Sequence, residues 1–255
     1  MSIESIGANI IQEVKNSTGA FNLLVEAGGS ATSLIKPPVR KILYKQVYFT
    51  GIEALNKIAI LAVLIGLVII TQIVNIVGPQ PLLIGKILLW TVVRELGPLF
   101  GAIIIIARSC TAIASELGSM KVHREVESLR IMGIDPVAYL IVPRILAVTI
   151  SLFILTFYFQ VISIVGGLAL SSFFMDVSFM NHLEVIFSSL GFSDIIATLL
   201  KSITFGVAIS TISCYHGLRA SGSITEVPQM TTVAVMQSLF AVIILDGIVT
   251  LVFFS

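Results

Sequence analysis

The chain has 255 residues, of which 56% are hydrophobic and only 11% are charged, and its formal net charge is +1. Its mean hydropathy of +1.05 lies far above the balance of a soluble domain. The composition therefore excludes a soluble enzyme, indicates an integral membrane protein, and gives no reason to expect a nucleic-acid partner.

Residues 1–50 form an N-terminal segment without the apolar core of a cleavable signal peptide. Four apolar residues in it recur on one face of a predicted helix: Ile3, Ile6, Ile10 and Val14. This pattern favours a helix that lies at the membrane surface or packs on its own protein. We expect Pro37-Pro38 to break the chain before the basic cluster at Arg40 to Lys45.

Five apolar stretches follow, and each has the roughly 20 residues that a helix needs to cross a bilayer. They cover about residues 52–77, 82–115, 145–175, 194–218 and 228–254. Membrane β-strands would show alternating polarity instead of these long apolar runs. We therefore predict an all-α integral membrane protein whose residues 51–255 form one membrane domain.

The distribution of basic residues predicts the orientation of the chain. In this arrangement twelve of the 15 Lys and Arg residues fall on one side, and cytoplasmic loops are the ones that carry such an excess. We therefore expect the N terminus in the cytoplasm of a bacterium, with the spans in its inner membrane. An odd number of spans then places Ser255 in the periplasm.

Four charged residues lie inside the predicted spans: Arg94, Glu95, Lys201 and Asp246. A charge at such a depth costs at least ~2.5 kcal/mol, so each should face a partner or a wet cavity. Arg94 and Glu95 point about 100° apart on a helix, which favours contacts with different neighbours. Two hypotheses remain open: a structural salt-bridge network, or a site where Arg94 and Lys201 hold an anionic lipid headgroup.

The second span also contains the Gly97-Pro98 pair, and Gly97 and Gly101 have the small-xxx-small spacing of closely packed membrane helices. A kink here could expose backbone carbonyls to a cavity. Ordinary close packing of two helices explains the same residues.

A short amphipathic helix is predicted at about residues 120–132, between the second and third spans. Its apolar residues recur at helical spacing, with charged residues between them: Val122, Val126, Leu129 and Met132, with Arg124 and Glu125 among the charges. Gly133 and Asp135-Pro136 should end it. Such a helix docks in a groove of a soluble partner or lies on lipid headgroups.

The sequence predicts no cofactor in this chain. Gly85-Lys86 lacks the flanking residues of a phosphate-binding loop, so any ATPase that powers transport must be a separate chain. The histidines are scattered without metal-ligand spacing, and we expect no metal site. Cys110 and Cys214 lie in apolar helices, where a thiol behaves as a small hydrophobic group.

Several short motifs follow one another in a definite order from Arg94 onward. They are Arg94-Glu95-Leu96-Gly97-Pro98, Ala107-Arg108-Ser109, Ser115-Glu116-Leu117-Gly118-Ser119-Met120, Met132-Gly133-Ile134-Asp135-Pro136, Val142-Pro143-Arg144 and Gly166-Gly167. In these motifs and in span order, residues from about Gly51 to Phe254 resemble the MlaE (YrbE) permease family.

The resemblance implies the membrane subunit of a bacterial ABC system that moves phospholipids or related lipids between the inner and outer membranes. It implies a homodimer, two ATP-binding subunits, a lipid-shuttling MCE-domain protein and, in some systems, a STAS-domain subunit. This chain would then not be an enzyme. The resemblance also identifies Met120 to Met132 as the coupling helix and places the four intramembrane charges near the lipid cavity.

Two other classes of function fit the residues alone. One is an ion-coupled secondary transporter in which Glu95 and Asp246 carry protons. The other is a membrane scaffold for a soluble partner.

Overall fold

The computed structural model describes residues 18–30, 33–34, 36–78, 80–174, 179–220 and 223–254. Every regular element in these ranges is helical. The predicted surface helix with Ile3, Ile6, Ile10 and Val14 lies outside the described residues.

Eleven α-helices follow one another along the described chain. They are α1 (18–29), α2 (Pro37–Thr50), α3 (Leu55–Val77), α4 (Pro81–Leu88), α5 (Gly97–Ile105), α6 (Thr111–Val122), α7 (Glu125–Ile131), α8 (Val142–Phe174), α9 (Phe179–Ser189), α10 (Phe192–Arg219) and α11 (Glu226–Phe254). Three wider π-helical turns join some of them: Leu89–Leu96, Ile106–Cys110 and Val137–Ile141.

Five continuous helical stretches are long and apolar enough to cross a membrane, which confirms the predicted all-α class. They are Pro37–Val77, Leu82–Val122, Val137–Phe173, Phe192–Arg219 and Glu226–Phe253, here called the first to fifth spans. The first begins well before residue 52, because Pro37-Pro38 starts α2 ahead of the basic residues from Arg40 to Lys45. Proline is tolerated at the first helical positions because an N–H there has no partner within the helix.

The loop that contains α7 and the turn at residues 223–225 lie at the same end of the bundle, here called the α7 end. The opposite end carries α9 and is called the α9 end. A hydrophobic core runs between them, with Phe159 and Phe205 among its fully buried side chains. Phe159 stacks on Phe100, with ring centroids 5.5 Å apart.

The first and third spans touch through their backbones. A Cβ atom on Gly66 would lie 2.0 Å from the carbonyl oxygen of Ser163, and one on Gly167 would lie 2.7 Å from the carbonyl carbon of Gly66. No side chain fits between helices at this separation, so glycine is required at both positions.

The single helix predicted at residues 120–132 is instead divided in two. α6 continues to Val122, and α7 starts at Glu125 after a turn in which Arg124 adopts a left-handed backbone with φ 59°. The amphipathic pattern continues across this turn, which is why the sequence alone did not reveal it. α7 ends as predicted before Gly133, whose φ of 75° suits glycine.

Candidate functional site

The second span widens to a π-helix at Leu89–Leu96, where its charged residues lie. The N–H of Gly97 donates to the carbonyl of Val92, five residues earlier, instead of four as in an α-helix. The next residue, Pro98, has no N–H to donate. The helix therefore leaves backbone carbonyls without their own donors at this turn.

Side chains from two other spans bind those carbonyls. Gln160 Nε2 in the third span donates to the oxygen of Val93 at 2.8 Å, and Thr198 Oγ1 in the fourth span donates to it at 3.3 Å. Lys201 Nζ donates to the oxygen of Arg94 at 2.8 Å. The carbonyls that a kink was expected to expose to a cavity are thus bound by side chains of neighbouring helices.

Lys201 lies at the centre of a cluster here called the Lys201 network: Lys201, Glu95, Asp246 and the carbonyl of Arg94. Its Nζ atom donates to Glu95 Oε2 at 2.9 Å and forms an ion pair with Asp246 Oδ1 at 2.8 Å. An ammonium group has three donors, and here three oxygens surround it. The Lys201 side chain is 0% exposed, so all its interactions are with the protein.

Glu95 connects this network to the fifth span a second time. Its Oε1 atom accepts a hydrogen bond of 3.0 Å from Thr250 Oγ1, while its Oε2 atom binds Lys201. The second, fourth and fifth spans are thus joined through three of the four charged residues that the sequence singled out.

The side chain of Arg94 has its partners outside that cluster, in accord with the expectation that it and Glu95 reach different neighbours. Its Nε atom is 2.7 Å from Asp194 Oδ1, and its guanidinium lies 5.8 Å from the ring centroid of the exposed Trp90. The Arg94 side chain is 24% exposed, in contrast to Lys201. Arg94 is therefore the cation of this region that a molecule outside the helices can reach.

Sequence reasoning missed several members of this site. The sequence indicates Asp194 only as the start of the fourth span, whereas in the structure its carboxylate also caps α10 by accepting the N–H of Gly191 at 3.0 Å. Gln160 and Thr198 are buried polar residues in apolar helices. A buried amide in such a span was a usable signal, because a polar side chain there needs a partner.

At the α7 end, ion pairs among the described residues connect the first three spans to one another and to α7. They include Arg108–Glu53, Lys121–Glu127 and Arg144–Glu116. The Lys121 ammonium donates a hydrogen bond to Glu127 and holds the pKa of that carboxyl below its ordinary value. Arg144 is buried, and its Nη1 atom donates to the carbonyl of Leu140 at 2.9 Å.

The residues predicted to face an ATPase divide into two groups. Val126 is buried in the chain's own core and the half-buried Leu129 packs against it, so these two present little surface to a partner while α7 keeps its place. Val122 is half-buried at the end of α6, whereas Arg124, Glu125 and Met132 are exposed. Ile131, which the sequence analysis did not name, is 87% exposed beside Met132.

A comparison with known protein families decides what this arrangement belongs to. The model of the family described as Permease MlaE matches residues 43–252. The chain belongs to the MlaE permease family.

The chain is also similar in sequence to individual permease proteins. A probable ABC transporter permease protein of Rickettsia bellii is 30% identical over 98% of this chain and 97% of its own length. The intermembrane phospholipid transport system permease protein MlaE of Haemophilus influenzae is 30% identical over 86% of this chain and 87% of its own. The chloroplastic protein TRIGALACTOSYLDIACYLGLYCEROL 1 of Arabidopsis thaliana is 34% identical over 68% of this chain and 49% of its own.

Membership of the MlaE family makes this chain a multi-pass membrane protein and the permease subunit of an ABC transporter. Such a permease is not itself catalytic and depends on a separate ATPase that binds ATP. An ABC permease subunit is neither an ion-coupled secondary transporter nor a simple membrane scaffold, so the family replaces these two alternatives. Cys110 and Cys214 are buried free thiols, and the described part of the chain holds no cluster of three potential metal ligands.

Proposed function

We propose that this MlaE-family permease moves phospholipids between the inner and outer membranes of a bacterium. The observation that carries the proposal is a partly exposed guanidinium, Arg94, beside a saturated charge network inside an apolar bundle. The Haemophilus influenzae relative is the permease protein of an intermembrane phospholipid transport system, which supports the same substrate.

Arg94 is the residue that we assign to the lipid headgroup. A guanidinium has forked donors that can engage two oxygens of a phosphodiester, and Asp194 fixes its orientation. Lys201 and Arg94 were both predicted for this role, but three protein oxygens already surround the Lys201 ammonium. We therefore assign Lys201, Glu95 and Asp246 to holding the three spans in place around the site.

Mass spectrometry of lipids retained by the purified complex tests this proposal. The wild-type complex should retain phospholipid. Arg94→Gln should retain at least about tenfold less, because a hydrogen bond to a charged group contributes about 1.5 to 3 kcal/mol. Lys86→Gln, which removes an exposed positive charge at the α9 end, is the matched control and should behave as wild type. Equal phospholipid in Arg94→Gln and wild type would rule out the assigned contact.

We also propose that α7 couples the permease to its ATPase through its exposed surface. Arg124, Glu125, Ile131 and Met132 belong to that surface, whereas Val122, Val126 and Leu129 support it from within the chain. A short helix joined closely to the second and third spans can pass a movement of the ATPase to both. Lipid headgroups are the other medium in which Ile131 and Met132 could lie.

Ile131→Asp separates these possibilities. In an apolar docking pocket the new carboxylate should release the ATPase, because an unpaired charge would be buried there. The control is Ile224→Asp, which places the same charge at an exposed isoleucine of the same end, outside α7. Full co-purification of the ATPase with Ile131→Asp would exclude this contact.

The proposal extends to orientation and further partners. We place the N terminus and α7 in the cytoplasm and Ser255 in the periplasm, with two copies of this chain, two ATP-binding subunits and an MCE-domain protein in the assembly. A STAS-domain subunit is an optional member. Reporter fusions at Ser2 and Ser255 test the orientation, and a cytoplasmic signal from Ser255 would contradict it. Native mass spectrometry of the purified complex tests the composition.

A further inference from the structure

Gln160 is the buried amide that binds the widened turn of the second span. Its side chain donates to the carbonyl of Val93 at 2.8 Å and lies directly against Gly97. A Cβ atom on Gly97 would lie 2.6 Å from Gln160 Cγ and 2.7 Å from Gln160 Nε2. The amide therefore occupies space that exists only because residue 97 has no side chain.

This hydrogen bond competes with the α-helical one. In an α-helix the N–H of Gly97 would donate to the carbonyl of Val93, four residues earlier. In the structure the Gly97 N–H donates to the carbonyl of Val92 instead. The carbonyl of Val93 accepts hydrogen bonds from the side chains of Gln160 and, at a longer distance, Thr198. Occupation of that carbonyl by a side chain thus favours the π register of the segment.

The register determines where the adjacent charges point. A change of one residue in helical register rotates a side chain by about 100° about the helix axis. Arg94 and Glu95 follow Val93 directly, and their side chains reach different partners, Asp194 and Lys201. A rotation of that size would remove both from these partners.

We propose that Gln160 is a positioning residue that holds the second span in its π register, so that Arg94 faces the headgroup and Glu95 faces Lys201. The effect on the headgroup rests on the proposed phospholipid function. The effect of Gln160 on the helix register concerns only residues of this chain. Gln160 acts through the backbone of Val93 and does not touch the lipid.

The main test compares Gln160→Met with Gln72→Met in the complete complex. Methionine is similar in size to glutamine but cannot donate a hydrogen bond, and Gln72 is an exposed glutamine of the first span. The measurements are phospholipid per assembled complex, labelling of Glu95 by a hydrophobic carbodiimide, and the midpoint of thermal unfolding. A hydrophobic carbodiimide takes up the proton and the oxygen of a protonated carboxyl group, and the loss of an ammonium partner favours that protonated form.

We expect Gln160→Met to retain about fivefold less phospholipid per complex, the size of effect for one lost hydrogen bond, and to increase Glu95 labelling. Gln72→Met should match wild type in both. A role limited to stability would lower the unfolding midpoint and leave both quantities per assembled complex unchanged. Unchanged lipid and unchanged labelling in Gln160→Met would overturn the proposal, whatever the midpoint.

Gly97→Ala gives a second test that leaves the amide in the chain and also serves if Gln160→Met does not assemble. The added methyl group should displace Gln160 and again increase Glu95 labelling. Its control is Gly101→Ala, whose methyl would lie 3.0 Å from Thr156 Oγ1, away from Gln160. Equal labelling in the two alanine variants would count against the proposal.

The labelling also separates this inference from the proposed function. A wild-type complex that retains no phospholipid, but in which Gln160→Met still increases Glu95 labelling, would contradict the lipid assignment and support the positioning role. A wild-type complex that retains phospholipid, but in which Gln160→Met leaves Glu95 labelling unchanged, would support the lipid assignment and contradict the positioning role.

Discussion

The two ends of the bundle hold their charges in different ways. In the Lys201 network an ammonium without solvent exposure is surrounded by three protein oxygens. At the α7 end, Lys121–Glu127 and Arg108–Glu53 are pairs in which both partners keep contact with solvent. Charges removed from water need a complete set of partners, whereas exposed pairs exchange protein contacts for water at little cost. The comparison predicts which residues of the chain are replaceable.

Lys201→Met should have the largest effect. It removes the cation and leaves Glu95 and Asp246 close together without compensation, and breaking a buried ion pair in this way costs about 3 to 5 kcal/mol. We expect a severe loss of assembled complex and a lower thermal midpoint in purified material. Lys86→Met, at an exposed lysine, is the control. A Lys201→Met complex as stable as wild type would show that the network is dispensable.

Arg144→Met should have an intermediate effect, because this residue combines the features of both regions. Its side chain is 4% exposed, but its partner Glu116 is 55% exposed and would be solvated after the substitution. We expect a loss of about 2 kcal/mol from the hydrogen bonds of the guanidinium. Chemical denaturation of Arg144→Met and of the exposed Arg130→Met would measure the difference, and equal values would contradict it.

Substitutions at Arg124 should have a smaller effect, through the backbone and not through charge. A left-handed conformation costs a residue with a side chain about 1 kcal/mol or more, and glycine avoids this cost. We expect Arg124→Gly to be more stable than Arg124→Val in thermal unfolding. The reverse order would mean that the turn before α7 does not depend on this conformation.

Lys121→Ala should have the smallest effect, and its size should depend on pH and salt. Because Lys121 lowers the pKa of Glu127, the pair stabilises the fold above the ordinary pKa of that carboxyl. This contribution is lost as the pH falls through the lowered pKa of the folded state. Thermal midpoints of wild type and Lys121→Ala should therefore converge in acid and in high salt. If the difference in thermal midpoint persisted in high salt, the Lys121–Glu127 pair would behave like a buried ion pair.

The sequence predicted the five spans because hydropathy over some twenty residues depends little on tertiary structure. It also identified the four intramembrane charges, since such charges are expensive wherever they point. Their pairing was not predictable. Asp194 was overlooked because it lies at a helix start, and only the three-dimensional structure brings it to Arg94.

The docking surface shows a second limit of sequence patterns. The periodicity of Val126 and Leu129 correctly indicates an apolar face on a short helix. It does not indicate what covers that face, and the chain's own core does so. Ile131 escaped attention because it stands outside the periodic set, although it is the more exposed residue.

The close contact at Gly66 and Gly167 also limits how the protein can move. Two helices whose backbones touch cannot slide past each other without first separating, since side chains above and below the contact would collide. The first and third spans are therefore held against sliding at this contact. The fourth span meets the third in the same way, because a Cβ atom on Gly206 would lie 2.6 Å from the Cα atom of Thr149. A change of shape in a transport cycle must accordingly pivot about these contacts or separate the helices at them.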